Sequence, residues 1–139
     1  MTSTVQHVAL NCKDRVGQER FYGKHFGFRR ARVFNAGRPD EFVMMRLADT
    51  CMELFQAADL PPDASGGEQQ VGFKHFCFQV PDVAAKVAEL DADGIETGPV
   101  IDCGHQVPGL KVCFFRDPEG NVLELMEGWQ DEGSPPQLD

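Results

Sequence analysis

The feature that most constrains this 139-residue chain is an order of elements that occurs twice. Residues 5 to 12 (VQHVALNC) are strand-like. Asp14 is placed to cap a helix running to about Phe26, with Gly27 as its stop. Tyr22 and Phe26, four apart, share a face of that helix. Strand-like runs follow at 28–34 (FRRARVF), 41–48 (EFVMMRLA) and 50–57 (TCMELFQA). The stretch 57–70 is rich in Pro, Gly and Asp and reads as a linker. The order then restarts with a strand at 71–80 (VGFKHFCFQV). Asp82 caps a second helix carrying Val83, Val87 and Leu90 on one face, and Gly94 ends it. IETGPVI (95–101), LKVCFFRD (110–117) and NVLELMEG (121–128) complete the second copy, the last two joined by a DPEG turn. The expected architecture is α+β, two βαβββ modules at about 5–57 and 71–127 forming a single domain over 1–128, followed by a polar tail at 129–139.

Aligning the halves lays HVALNCKD over HFCFQVPD and CMELFQ over VLELME. His7 and His75 lie 68 residues apart, and Glu53 and Glu124 lie 71 apart. Strand side chains alternate faces. His7, Ala9 and Asn11 therefore share a face, as do His75, Cys77 and Gln79, while Glu53 and Glu124 each point away from two apolar neighbours. A bare carboxylate in such surroundings is costly and needs a partner, a proton or a metal. One strand histidine is usually a satisfied polar residue, and one strand glutamate is usually solvated. Two of each at equivalent places ask for a common explanation, and two imidazoles with two carboxylates make a natural N/O site for a divalent ion.

At these residues the chain resembles the vicinal oxygen chelate superfamily, the glyoxalase, bleomycin-resistance and ring-cleaving dioxygenase group. The matching pieces are QHVALNCKD, ERFYGKHFGF, CMELFQ, KHFCFQVPD and FRDPEGNVLELME. The resemblance implies paired modules forming a cupped mixed β-sheet around one divalent metal ion (Zn, Ni, Co, Mn, Fe or Mg). Its ligands would be His7, Glu53, His75 and Glu124. Two His and two Glu are most similar to bacterial-type lactoylglutathione lyase (glyoxalase I), which implies conversion of a 2-oxoaldehyde–thiol hemithioacetal through a metal-bound enediolate. Glu124 and Glu53 are then the catalytic candidates, Glu124 first. Asn11, Gln79, Lys111 and Arg116 are the expected substrate contacts. Asn11 stands where lyases of this kind carry a basic residue for glutathione, and further basic candidates are Arg15, Arg29, Arg32 and Arg38. The superfamily leaves three alternatives: an acyl-CoA epimerase, a ring-cleaving dioxygenase, and a non-enzymatic drug-sequestering protein of the bleomycin-resistance type. It also implies a homodimer.

Bulk properties narrow the partners. The net charge of −9 disfavours a phosphate backbone and anionic membranes. No apolar run approaches the ~20 residues that span a bilayer. The N-terminal residues lack a basic start and an apolar block, so no signal peptide is expected. Five cysteines without a CxxC pair point to reduced thiols in a cytoplasmic protein, and the resemblance implies that it acts on a small molecule. Cys77 is expected as a small buried residue, His105 as a solvated loop residue, His25 as exposed or packed at its helix end, and Trp129 as a core or dimer contact.

Overall fold

The computed structural model describes residues 5–58 and 75–136. Most of the expected linker, and the start of the strand expected at 71–80, lie outside the described residues. The chain divides into two compact units, Met1–Ser65 with Asp117–Asn121, and Gly66–Arg116 with Val122–Asp139.

The first unit holds β1 (His7–Cys12), α1 (Arg15–Phe26), β2 (Arg29–Phe34), β3 (Phe42–Leu47) and β4 (Thr50–Gln56). Its sheet has the order β1-β4-β3-β2, with β1 parallel to β4 and the other pairs antiparallel. The helix begins where expected: the Asp14 carboxylate accepts the Gly17 backbone N–H at 2.9 Å. It ends at Gly27, whose φ of 79° suits a residue without Cβ. One face of the sheet is apolar and carries Leu54, Val43, Met52 and Met45, all buried. Arg30, in register with Met45, reaches Glu19 of α1, which places the helix on that face. Each large apolar side chain fully buried here contributes about 1.5–3 kcal/mol.

The segment Asp117–Asn121 belongs to this unit through the Asp117 carboxylate. Asp117 Oδ2 accepts from Gln18 Nε2 and Tyr22 Oη, both at 2.8 Å, and from Asn121 Nδ2 at 2.7 Å. Its Oδ1 accepts the backbone N–H groups of Glu119 and Asn121. The Glu119 carboxylate in turn accepts the N–H groups of Lys13 and Asp14, just before α1, at 2.6 and 2.9 Å. A negative group there also complements the positive end of the helix dipole.

The second unit repeats the plan with β5 (Phe76–Gln79), α2 (Val83–Ala92), β6 (Ile101–Asp102), β7 (Lys111–Arg116) and β8 (Val122–Glu127). The sheet order is β5-β8-β7-β6, with β5 parallel to β8. Asp82 caps α2 by accepting the Ala85 N–H at 2.9 Å. The strand expected at 95–101 is reduced to Ile101–Asp102 plus an isolated bridge from Thr97 to Phe115. Pro99 lacks a backbone donor and cannot sit inside a ladder. Leu90, Val83, Cys113, Leu123 and Leu125 are buried and form this unit's core. Both units are thus four-stranded mixed sheets with one helix, the expected two-module α+β arrangement.

Candidate functional site

The first His–Glu pair lies on the face of sheet one that points away from α1. In register, Glu53 is paired with Ala9 on one side and Met44 on the other, and His7 is paired with Cys51. Alternation puts Glu53 beyond the buried Met52 and Leu54, so its carboxylate leaves the core and meets His7. The His7 Nε2 to Glu53 Oε1 distance is 2.7 Å. The other ring nitrogen, Nδ1, faces Gln6 Oε1 at 2.5 Å. With the amide oxygen accepting, Nδ1 donates, and Nε2 either donates as part of an imidazolium or carries the lone pair of a neutral ring. In the neutral ring, Nε2 presents that lone pair to a carboxylate oxygen. Two acceptors cannot face each other at this distance unless a proton or a cation lies between them.

The second unit carries an equivalent pair. His75 immediately precedes β5, and Glu124 lies mid-way along β8, in register with Cys77 and Phe114. His75 Nε2 is 2.8 Å from Glu124 Oε2. Glu124 is buried, and the Phe114 ring stands edge-on to the imidazole at 5.5 Å between centroids. A ring packed this way holds His75 in one orientation. Cys77 is exposed, which corrects the expectation of a buried packing residue. Partial desolvation, and then the Glu124 charge, push its thiol up to about 11.

The fit to a divalent ion can be judged on these donors. Each pair offers one imidazole nitrogen and one carboxylate oxygen facing each other at 2.7 and 2.8 Å. Two ligands at right angles on bonds of about 2.1 Å sit about 3 Å apart. The donor types and spacings therefore suit a borderline ion such as zinc, nickel or cobalt. Among the described residues, no group of three or more His, Cys, Asp or Glu side chains is placed to hold a metal ion; each pair is described within its own unit.

The remaining sequence candidates separate by face. Asn11 lies on the Glu53 face, and Gln79 lies on the Glu124 face. Arg116, paired with Val122, also lies on the Glu124 face. Lys111 is paired with Glu127, three residues from Glu124, and so sits on the opposite face. Glu127 accepts the Val83 N–H at the start of α2, which marks that face as the helix side. Lys111 is therefore withdrawn from the site. Arg15 is buried and pairs with Glu41 at 2.7 Å and Glu19 at 3.5 Å, a structural role. Arg38 is exposed beside Asp40. His25 is buried against the Phe21 ring, His105 is exposed, and Trp129 is half-exposed with its Nε1 donating to Asp131. What sequence reading missed is a run of stacked phenylalanines on the Glu53 face. Phe34, Phe42 and Phe55 come from three strands, and only the register reveals that they align.

Comparison with known proteins follows from this geometry. The family profile described as Glyoxalase/Bleomycin resistance protein/Dioxygenase superfamily matches residues 4–125. The chain belongs to this superfamily. Within it, the chain is 29% identical over 126 residues to the uncharacterized protein YaeR of Escherichia coli strain K12, covering 88% of this chain and 95% of YaeR. It is 30% identical over 63 residues to the lactoylglutathione lyase of Pseudomonas aeruginosa, a match covering 45% of this chain and 34% of the lyase. The crystal structure of a glyoxalase family protein from Enterococcus faecalis superposes with a TM-score of 0.73 at 31% identity, covering 89% of this chain and 97% of that one. Among the described residues, no helix is long and apolar enough to cross a membrane.

Proposed function

We propose that the protein is a metal-dependent lyase or isomerase of the glyoxalase type, with His7, Glu53, His75 and Glu124 as ligands of a common divalent cation. The observation that carries this reading is the repetition of one unusual contact. Each module aims an imidazole Nε2 at a carboxylate oxygen, at 2.7 and 2.8 Å, from equivalent strand positions. The internal repeat makes the two positions equivalent, and a shared ligand role accounts for the same residue types at both.

When bound, the ion supplies Lewis-acid polarisation of a substrate carbonyl oxygen. The chain's own residues do the rest. Glu124, buried and held against His75, takes the proton from the carbon beside the carbonyl and returns it to the neighbouring carbon. Glu53 holds the equivalent position in the first module. His75 is kept in place by Phe114, and His7 by Gln6. Gln79 and Arg116 share the Glu124 face, and Asn11 shares the Glu53 face, where they can orient the substrate oxygens. The proposed substrate is the hemithioacetal of a thiol and a 2-oxoaldehyde. The partial match to a lactoylglutathione lyase supports this choice. We further propose a cytoplasmic homodimer, which sedimentation would show at twice the chain mass of 15.4 kDa.

The test is metal analysis of the purified protein, followed by an assay with methylglyoxal and glutathione. The reading expects about one divalent ion per chain and thiol-dependent turnover. Glu124→Gln should lower kcat by about 10²–10⁴-fold. Full metal occupancy with no proton exchange at the substrate carbon would overturn it. His75→Ala should abolish turnover, whereas retained binding of a drug-like cation by that variant would favour sequestration instead.

A further inference from the structure

The face of sheet one that carries Glu53 is organised in three bands across the strands. The register aligns Arg29 with Arg46 in one band, Arg32 with Met44 and Glu53 in the next, and Phe34 with Phe42 and Phe55 in the third. The third band is a stack. Phe34 and Phe42 lie 4.5 Å apart between centroids at an interplanar angle of 6°, and Phe42 and Phe55 lie 4.3 Å apart at 18°. All three rings are only partly buried. Because they lie face to face along the stack, their edges point away from the sheet. A flat ring laid across those edges meets them with its electron-rich face, a favourable edge-to-face contact.

Among the described residues, Arg29, Arg32 and Arg46 form no ion pair; Arg46 donates only to the Ala48 carbonyl, at 3.4 Å. Arg29 and Arg46 are moreover directly opposed, which like charges on neighbouring strands avoid. Glu53 is engaged by His7. Three guanidiniums without carboxylates are unexpected in a chain of net charge −9.

The backbone has a device for putting Arg32 there. Arg30 pairs with Met45 and Arg32 with Met44, so the strand bulges at Ala31. Strict alternation from Arg30, which faces α1, would send Arg32 to the helix side. The bulge turns it to the Glu53 face, with its guanidinium carbon 5.8 Å from the Phe34 ring centroid.

We propose that this face is a subsite for an aromatic carboxylate. The Phe34–Phe42–Phe55 ridge takes the flat ring, and Arg32, with Arg29 and Arg46 behind it, takes the anion. Residues two apart on a strand are about 6.6–6.8 Å apart, so the phenylalanine band and the Arg29–Arg46 band flank the Arg32–Met44–Glu53 band at about that spacing. The inference relies on the proposed function only for identifying Glu53 as a ligand at the reacting centre. Under that reading, it assigns a carboxyaryl substituent, in preference to methyl, to the 2-oxoaldehyde.

The test uses the full chain as purified and isothermal titration calorimetry with three probes. They are 2-naphthoate (flat and anionic), cyclohexanecarboxylate (anionic only) and 2-naphthalenemethanol (flat only). A parallel series contains EDTA. The expected result is that 2-naphthoate binds at least about fivefold more tightly than either analogue, the scale of one exposed charge or ring contact. EDTA should leave this unchanged. Arg32→Gln should weaken 2-naphthoate about fivefold and leave 2-naphthalenemethanol alone. Phe42→Leu should weaken both, with circular dichroism confirming that each variant is folded. Equal affinity for cyclohexanecarboxylate, insensitivity to Arg32→Gln, or loss of binding in EDTA would overturn the proposal. Naphthoate binding without any turnover would sink the lyase reading and leave this subsite standing. Turnover without naphthoate binding would do the reverse.

Discussion

Asp117 shows how much of this molecule is settled by single carboxylates. It is buried, and it accepts five hydrogen bonds from Gln18, Tyr22, Glu119 and Asn121. Asp117→Ala leaves buried donors without an acceptor, so it should cost roughly 3–4 kcal/mol in urea unfolding. The DPEG turn that contains Asp117 is plain in the sequence. Its partners Gln18 and Tyr22 are 99 and 95 residues away, and no local pattern announces them. Cys12 gives a pH-dependent counterpart. Burial first, then the charges of Glu119 and Asp117, push its thiol from an ordinary 9.0 up to about 12. The folded state holds this proton more tightly than the unfolded chain. The associated stability is therefore complete below about pH 9 and is lost as pH rises toward 12. Tyr22 is raised in the same direction, by burial and then by Asp117, and adds to the loss at the alkaline end. The urea midpoint should fall between pH 8.5 and 10.5, and Cys12→Ala should make that fall shallower. An unchanged slope would contradict the assignment.

At the scale of elements, helices and strands were legible wherever local chemistry carried them. Asp14 and Asp82 cap their helices as their spacing predicts, and Gly27 closes the first. The strand expected at 95–101 failed because Pro99 breaks the ladder that its β-branched neighbours would otherwise support. The bulge at Ala31 could not be seen at all. It is set by pairing with β3, and RRAR reads as a plain alternating strand. The β3–β4 hairpin offers an independent check. Leu47 pairs with Thr50, and Ala48 between them has a φ of +50°. A left-handed conformation costs a residue with Cβ about 1 kcal/mol, and glycine adopts it freely. Ala48→Gly should therefore leave stability unchanged or raise it by up to about 1 kcal/mol, where the same change in a strand interior would lower it. A loss beyond about 1 kcal/mol would show that the hairpin is held differently.

On the scale of the whole molecule, the internal repeat carried the most information. It gave two βαβββ modules, and the structure has them with matching strand orders and matching parallel first pairs. It also singled out His7, Glu53, His75 and Glu124, because alternation along a strand is enough to lift Glu53 and Glu124 away from their apolar neighbours. Composition contributed less: a net charge of −9 hides a sheet face with three arginines that form no ion pair among the described residues. Side-chain bands of that kind depend on register, which the order of residues within each strand does not state.

The central claim is that the two modules serve one cation, and titration with Zn²⁺ in wild type, His7→Ala and His75→Ala tests it most directly. The account predicts about one ion per chain in wild type and binding weakened at least about 100-fold by either substitution, since each removes a ligand of the same ion. Two ions per chain, or one variant binding as tightly as wild type, would contradict it.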